Sequence, residues 1–147
     1  MTTLLERLQG DLNAARKGGD KSRVLLLGTI LAETKNRRIE VQRDLTDDDV
    51  VELLRKQIKR RRESETAFTQ GNRADLAEKE RAEAGMLEGY LPPSVSDDEL
   101  RAAVRAAVAA GAANIGAVMG KVMPQFKGRA DGTVINRIAR EELAAKG

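Results

Sequence analysis

Tyr90-Leu91-Pro92-Pro93-Ser94-Val95-Ser96-Asp97-Asp98-Glu99, YLPPSVSDDE, is the stretch whose reading decides the fold. Two adjacent prolines stop a helix, because each lacks an amide donor and biases the residue before it away from helical angles. Ser96 with Glu99 three residues on is a capping box, the signature of a new helix start. The chain therefore reads as helices up to about Leu91, a break, and helices again from about Ser96.

Upstream of the break the pattern gives four helices. Thr3-Leu4-Leu5-Glu6 is another capping box, and Leu4, Leu5, Leu8 and Leu12 recur at helical spacing until Gly18-Gly19. Asp20 caps a second helix running to about Gln42. Its inner face is Val24, Leu27, Ile30, Leu31 and Thr34, widened by Leu25 and Leu26. Thr46 caps a third helix, and Asp47, Asp48 and Asp49 complement its dipole. Val50, Leu53, Leu54 and Ile58 make its apolar face. The run Lys59-Arg60-Arg61-Arg62 reads as a solvated face, with Lys59 expected to meet Glu63 and Arg61 to meet Glu65. Gly71-Asn72 ends it. A fourth helix spans about Arg73 to Leu91, and Tyr90 is expected in a core or at a domain junction.

Downstream, Leu100, Val104, Ala107 and Val108 line a fifth helix. Asn114 caps a sixth, with Ile115, Val118, Met119 and Val122 inward. Pro124 removes a bond to the Gly120 carbonyl and should kink or restart that helix. Asp131 caps a seventh, lined by Val134, Ile135, Ile138, Ala139 and Leu143. No segment alternates with β-branched enrichment. The expected fold is all-α: an N-terminal four-helix domain over residues 1–91, a linker at 92–95, and a small three-helix domain over 96–147.

Composition narrows the chemistry. The 147 residues hold no Cys, no His and no Trp, with aromatics at 2%. That removes thiolate metal sites, the commonest general base and the ring platforms of single-strand readers. No cofactor, no metal and no catalytic residue is expected. Gly116 to Lys121 falls short of a P-loop, with three residues between its glycines, Val122 at the Ser/Thr position and no preceding strand. No apolar run reaches membrane-spanning length and no secretory pattern opens the chain, so a soluble, cytoplasmic protein without membrane contact is expected. Net charge is +3, but from Leu100 onward eight Lys/Arg face three Asp/Glu, whereas the first 91 residues carry 18 cations and 17 anions. The basic C-terminal part points to an anionic partner.

That excess gathers around MGKVMPQFKGRADGTVINRIAR, residues 119–140. A helix ends and another begins near Lys127 to Asp131. Helix starts attract phosphate, and Lys121, Lys127, Arg129, Arg137 and Arg140 stand around this one. Gly120, Gly128 and Gly132 would allow close backbone approach. Asp131 opposes the reading, since as a cap it occupies the same amides. On chemistry alone a phosphate-backbone site and a structured turn with solvated cations weigh equally. Asn136 either bonds RNA or ties the turn together, the second being favoured.

Met119-Gly120-Lys121-Val122-Met123, Lys127 to Gly132, Val134 and Asn136 resemble the GatB/YqeY family. Tyr90-Leu91-Pro92, Leu45-Thr46-Asp47 and the Lys59 to Glu63 run are similar to its stand-alone YqeY-like members. The resemblance covers nearly the whole chain. It implies the module that forms the tail of the B subunit of the tRNA-dependent amidotransferase, which converts Glu-tRNA(Gln) or Asp-tRNA(Asn) to the amide with glutamine as nitrogen donor. That tail helps hold tRNA, while the kinase and transamidation sites lie elsewhere. The family label is therefore a carbon–nitrogen ligase in translation, and the expectation for this chain is tRNA binding or an accessory role without autonomous activity. The alternative is an adaptor docking on a synthetase or amidotransferase complex.

Overall fold

The computed structural model describes residues 2–146 as seven α-helices and one 3-10 turn, all-α as the pattern requires; the outer ends of the expected domains, 1 and 147, lie outside the described residues. The helices are α1 Leu4–Gly18, α2 Lys21–Val41, α3 Asp47–Gln70, α4 Ala74–Glu88, α5 Asp97–Ala109, α6 Ile115–Val122 and α7 Gly132–Lys146, with the 3-10 turn at Met123–Phe126. They fall into two compact units, one ending at Leu91 and one beginning at Pro92.

In the first unit, α1 packs on α2 and α3 on α4. Leu8, Leu27, Ile30, Val50, Leu54 and Leu87 are fully buried at its centre. Local chemistry sets the ends. The Thr3 hydroxyl accepts from Glu6 N, Asp20 from Arg23 N, and Gly19 closes α1 at φ 71°. Thr46 and Asp49 cap α3 reciprocally. Asp49 does more than complement a dipole. It is buried, and it takes Arg43 Nη1 at 2.6 Å and Thr46 N at 2.9 Å, clipping the α2–α3 loop to the start of α3. The Arg43 hydrogen bond, then that of Thr46, holds its carboxyl well below the usual carboxylate range.

Two details of the sequence reading are corrected. Leu25 does not widen the inner face of α2 but stands 72% exposed. Each residue turns a helix by a little over a quarter of a circle, so three consecutive leucines cannot all face one core. The basic run on α3 also pairs differently. Arg61 donates to Gln57 Oε1 at 2.8 Å and lies against Glu83, while Arg62 bridges Glu65 and Glu88 at 3.1 and 2.8 Å. Glu65 also takes Arg81 at 2.9 Å. Gln57 and Glu65 belong to α3 itself, but Glu83, Glu88 and Arg81 come from α4, which lies alongside and which i,i+4 spacing does not reveal. Tyr90 is buried in the core of this unit. Its hydroxyl donates to Asp11 and accepts from Arg23 Nη2 at 3.2 Å, and the Arg7 guanidinium lies 4.7 Å from the ring centroid. Burial, then the Asp11 carboxylate, pushes the phenol pKa up.

The second unit packs α5, α6 and α7 around Leu100, Val104, Val118, Val122, Ile135 and Ile138, with small Ala107, Ala112 and Ala139 between them. Ser96 caps α5 and Asn114 caps α6 through bonds to Glu99 N and Ala117 N.

Candidate nucleic-acid interface

The predicted site lies in the second unit, where α6 runs out and α7 begins. Pro124 cannot continue the α-helical ladder, and the chain tightens into the 3-10 turn Met123–Phe126 instead of breaking. Phe126 is buried and anchors the turn. Its carbonyl accepts from both Arg129 N at 2.8 Å and Ala130 N at 3.1 Å, which closes the loop. Gly128 sits at φ 75°, a conformation costly for any residue with a Cβ. Asp131 Oδ1 then accepts from Thr133 N at 2.8 Å and starts α7.

The three glycines have different uses. Gly128 makes the left-handed step. A Cβ on Gly132 would lie 3.1 Å from Met123 Cε, so this glycine lets the methionine cover the beginning of α7. A Cβ on Gly120 would meet nothing within 4 Å. Nothing inside the unit demands a glycine there, and the helix backbone is open to approach from outside.

The cations sort into two sets. Arg101 reaches Glu141 and Glu142, both at 2.8 Å, and Arg105 reaches Glu142 at 2.9 Å. Arg137 bridges Asp97 and Glu141, each at 3.0 Å. These bonds tie α5 to α7. Hydrogen bonds from Arg101 and then Arg137 lower the Glu141 pKa, and those from Arg105 and then Arg101 lower that of Glu142. Arg140 Nε donates to Asn136 Oδ1 at 2.7 Å. That bond runs along α7 and not to the turn, which corrects the expectation for Asn136. The other set is at the corner. Lys121, Lys127 and Arg129 are exposed. Among the described residues no acid pairs with Lys121 or Arg129, and the Arg129 guanidinium lies 5.7 Å from the Phe126 ring centroid.

The sequence reading makes Asp97 a helix-start acid and misses its link to Arg137. The Arg137–Glu141 spacing of four is the available signal that Arg137 is engaged. Counted from Pro92, the unit carries eight cations and six acids, because Asp97, Asp98 and Glu99 belong to it. The basic excess is smaller than the sequence from Leu100 implies, and it is concentrated at the corner. Among the described residues no group of three or more His, Cys, Asp or Glu is placed to hold a metal ion, and no helix is long and apolar enough to cross a membrane.

Comparison with known proteins adds independent findings. The family described as Yqey-like protein matches residues 5–143. A Pyrenophora tritici-repentis protein named altered inheritance of mitochondria protein 41, mitochondrial, is 34% identical over 149 aligned positions, taking in 97% of this chain and 82% of that protein. Proteins of the same name from Lachancea thermotolerans and Kluyveromyces lactis are 33% and 32% identical over 100 positions, 66% of this chain and 54% of theirs. These names overturn the cytoplasmic expectation. A chain without cysteine fits any reducing compartment, so composition had no means of telling one from another.

Proposed function

The chain belongs to the YqeY-like family, and from that premise we propose that it is a non-catalytic tRNA-binding or tRNA-complex accessory module, acting through the corner between α6 and α7. One observation carries this reading. Arg101, Arg105 and Arg137 are engaged by acids, while Lys121 and Arg129 stand exposed and, among the described residues, without acidic partners on either side of a buried phenylalanine. Lys127 is exposed between them, and the open backbone at Gly120 adds a place where a sugar-phosphate chain can come close.

Recognition of this kind uses shape and charge. Asp131 takes the Thr133 amide, so the side-chain cations, and not the first amides of α7, supply the attraction. Arg137 and Arg140, which the sequence placed in the same site, contribute through the field of α7 and not as unengaged cations. The names of the relatives guide the compartment toward the mitochondrion.

Filter binding of bulk tRNA over a salt series tests the reading. Lys121→Glu with Arg129→Glu should weaken binding at every salt and flatten the logarithmic salt slope by about 1 for each phosphate that is no longer neutralised. Wild-type affinity in that double variant refutes the site. Partners that survive nuclease treatment, together with unchanged tRNA binding, would instead support an adaptor docking on a synthetase or amidotransferase complex.

A further inference from the structure

α2 has a second face that the core does not use. Leu25 and Ile39 on it are 72% and 74% exposed, and the only other exposed large hydrophobic among the described residues, Met123, is 42% exposed. Ala32, also exposed, lies midway. The three are seven residues apart and form one stripe about 21 Å long. Thr29 and Asn36, three residues before Ala32 and Ile39, complete a heptad pattern with Leu25, Ala32 and Ile39 at the d positions. The Thr29 hydroxyl donates to Leu25 O at 2.9 Å, which leaves its methyl group for the stripe.

The flanks of the stripe differ in sign. Lys35 borders it on one side, and Glu40, five residues on, borders it on the other; both are exposed. These are the g and e positions that meet across a parallel, in-register helix pair. An antiparallel pair would set acid against acid and base against base. Asn36, at an a position, is the polar residue type that fixes register in two-stranded pairs. The Arg37–Glu40 bond, 2.9 Å between two exposed side chains, is easily exchanged for a partner across an interface.

We propose that the chain self-associates through parallel, in-register pairing of α2 with α2 of a second copy. Leu25, Ala32 and Ile39 each face their own counterpart, and Lys35 of each copy faces Glu40 of the other. The stripe is short and its centre is an alanine, so the interface belongs to the small, transient class. The inference is independent of the nucleic-acid reading.

Sedimentation of the full chain from about 10 µM to about 1 mM should show a monomer–dimer equilibrium. L25E/I39E should weaken it at least tenfold while leaving helix content unchanged, since both side chains are on the surface. The sequence contains no cysteine, so L25C and I39C are clean probes. Each alone should oxidise to a cross-linked dimer. K35E and E40K should each associate less than wild type, and an equimolar mixture should recover association. A monomer at every concentration overturns the proposal, as does a dimer that survives L25E/I39E. Cross-linking that needs L25C and I39C to be mixed overturns the parallel arrangement.

Discussion

The two units solve the same packing problem with different materials. The first has a leucine core, admits Thr34, Asp49 and Gln57 into buried positions, and ties its α2–α3 loop to α3 with an internal polar bond. The second packs β-branched and small residues with no buried polar side chain among its described residues, and wears its ion pairs on the outside of α5 and α7. The buried polar groups of the first unit therefore act as structural clips. The polar groups of the second act as a surface lattice that holds two helices and leaves particular cations over. Deletions in the first should be costly and insensitive to salt; charge changes in the second should be mild and salt-dependent.

The largest expected effect is a cavity in the leucine core. Leu54→Ala removes a fully buried side chain and should cost about 3 kcal/mol in the denaturant transition of residues up to Leu91, with the transition of the second unit unmoved. Movement of both together would dissolve the contrast. Next, Asp49→Ala breaks the clip to Arg43 and Thr46 and should cost about 2 kcal/mol at neutral pH. Because the folded carboxyl is held below its unfolded value, its contribution is complete above about pH 4 and fades as the pH falls toward the folded value. The variant should therefore lose less stability than wild type between pH 4 and pH 2, read from urea midpoints. Tyr90→Phe removes one hydroxyl from Asp11 and Arg23 and should cost about 1 kcal/mol. The smallest effect is Glu142→Gln, which loosens Arg101 and Arg105. Its destabilisation should shrink in 1 M salt, where the screening length falls to about 3 Å, whereas that of Asp49→Ala should hold its size.

What was legible in the sequence follows from range. Thr3, Asp20, Thr46, Ser96 and Asn114 announce helix starts because a cap needs only its next three residues. Pro124 and Gly128 likewise carry their own backbone constraints. Partners on neighbouring helices were not legible. Arg61 with Glu83, Arg62 with Glu88 and Arg137 with Asp97 join residues 22 to 40 positions apart, and no local spacing encodes them. The candidate site divides the same way. The glycine corner and its cations are local, so the residues could be named in advance. Arg137 and Arg140 meet partners four residues away on α7, a spacing the sequence carries, whereas the bonds of Arg101 and Arg105 depend on α5 lying against α7, and only the assembled unit reveals them.

Tyr90 has an optical consequence. The chain contains one tyrosine and no tryptophan, so its phenolic emission and near-ultraviolet ellipticity come from a single ring, whose hydroxyl meets Asp11 on α1 and Arg23 on α2. That signal follows the first unit alone and is blind to the second. Nucleotide absorbance would also stand well clear of so weak a protein band, so carried-over RNA would be visible in the spectrum of the purified chain before any binding assay is run.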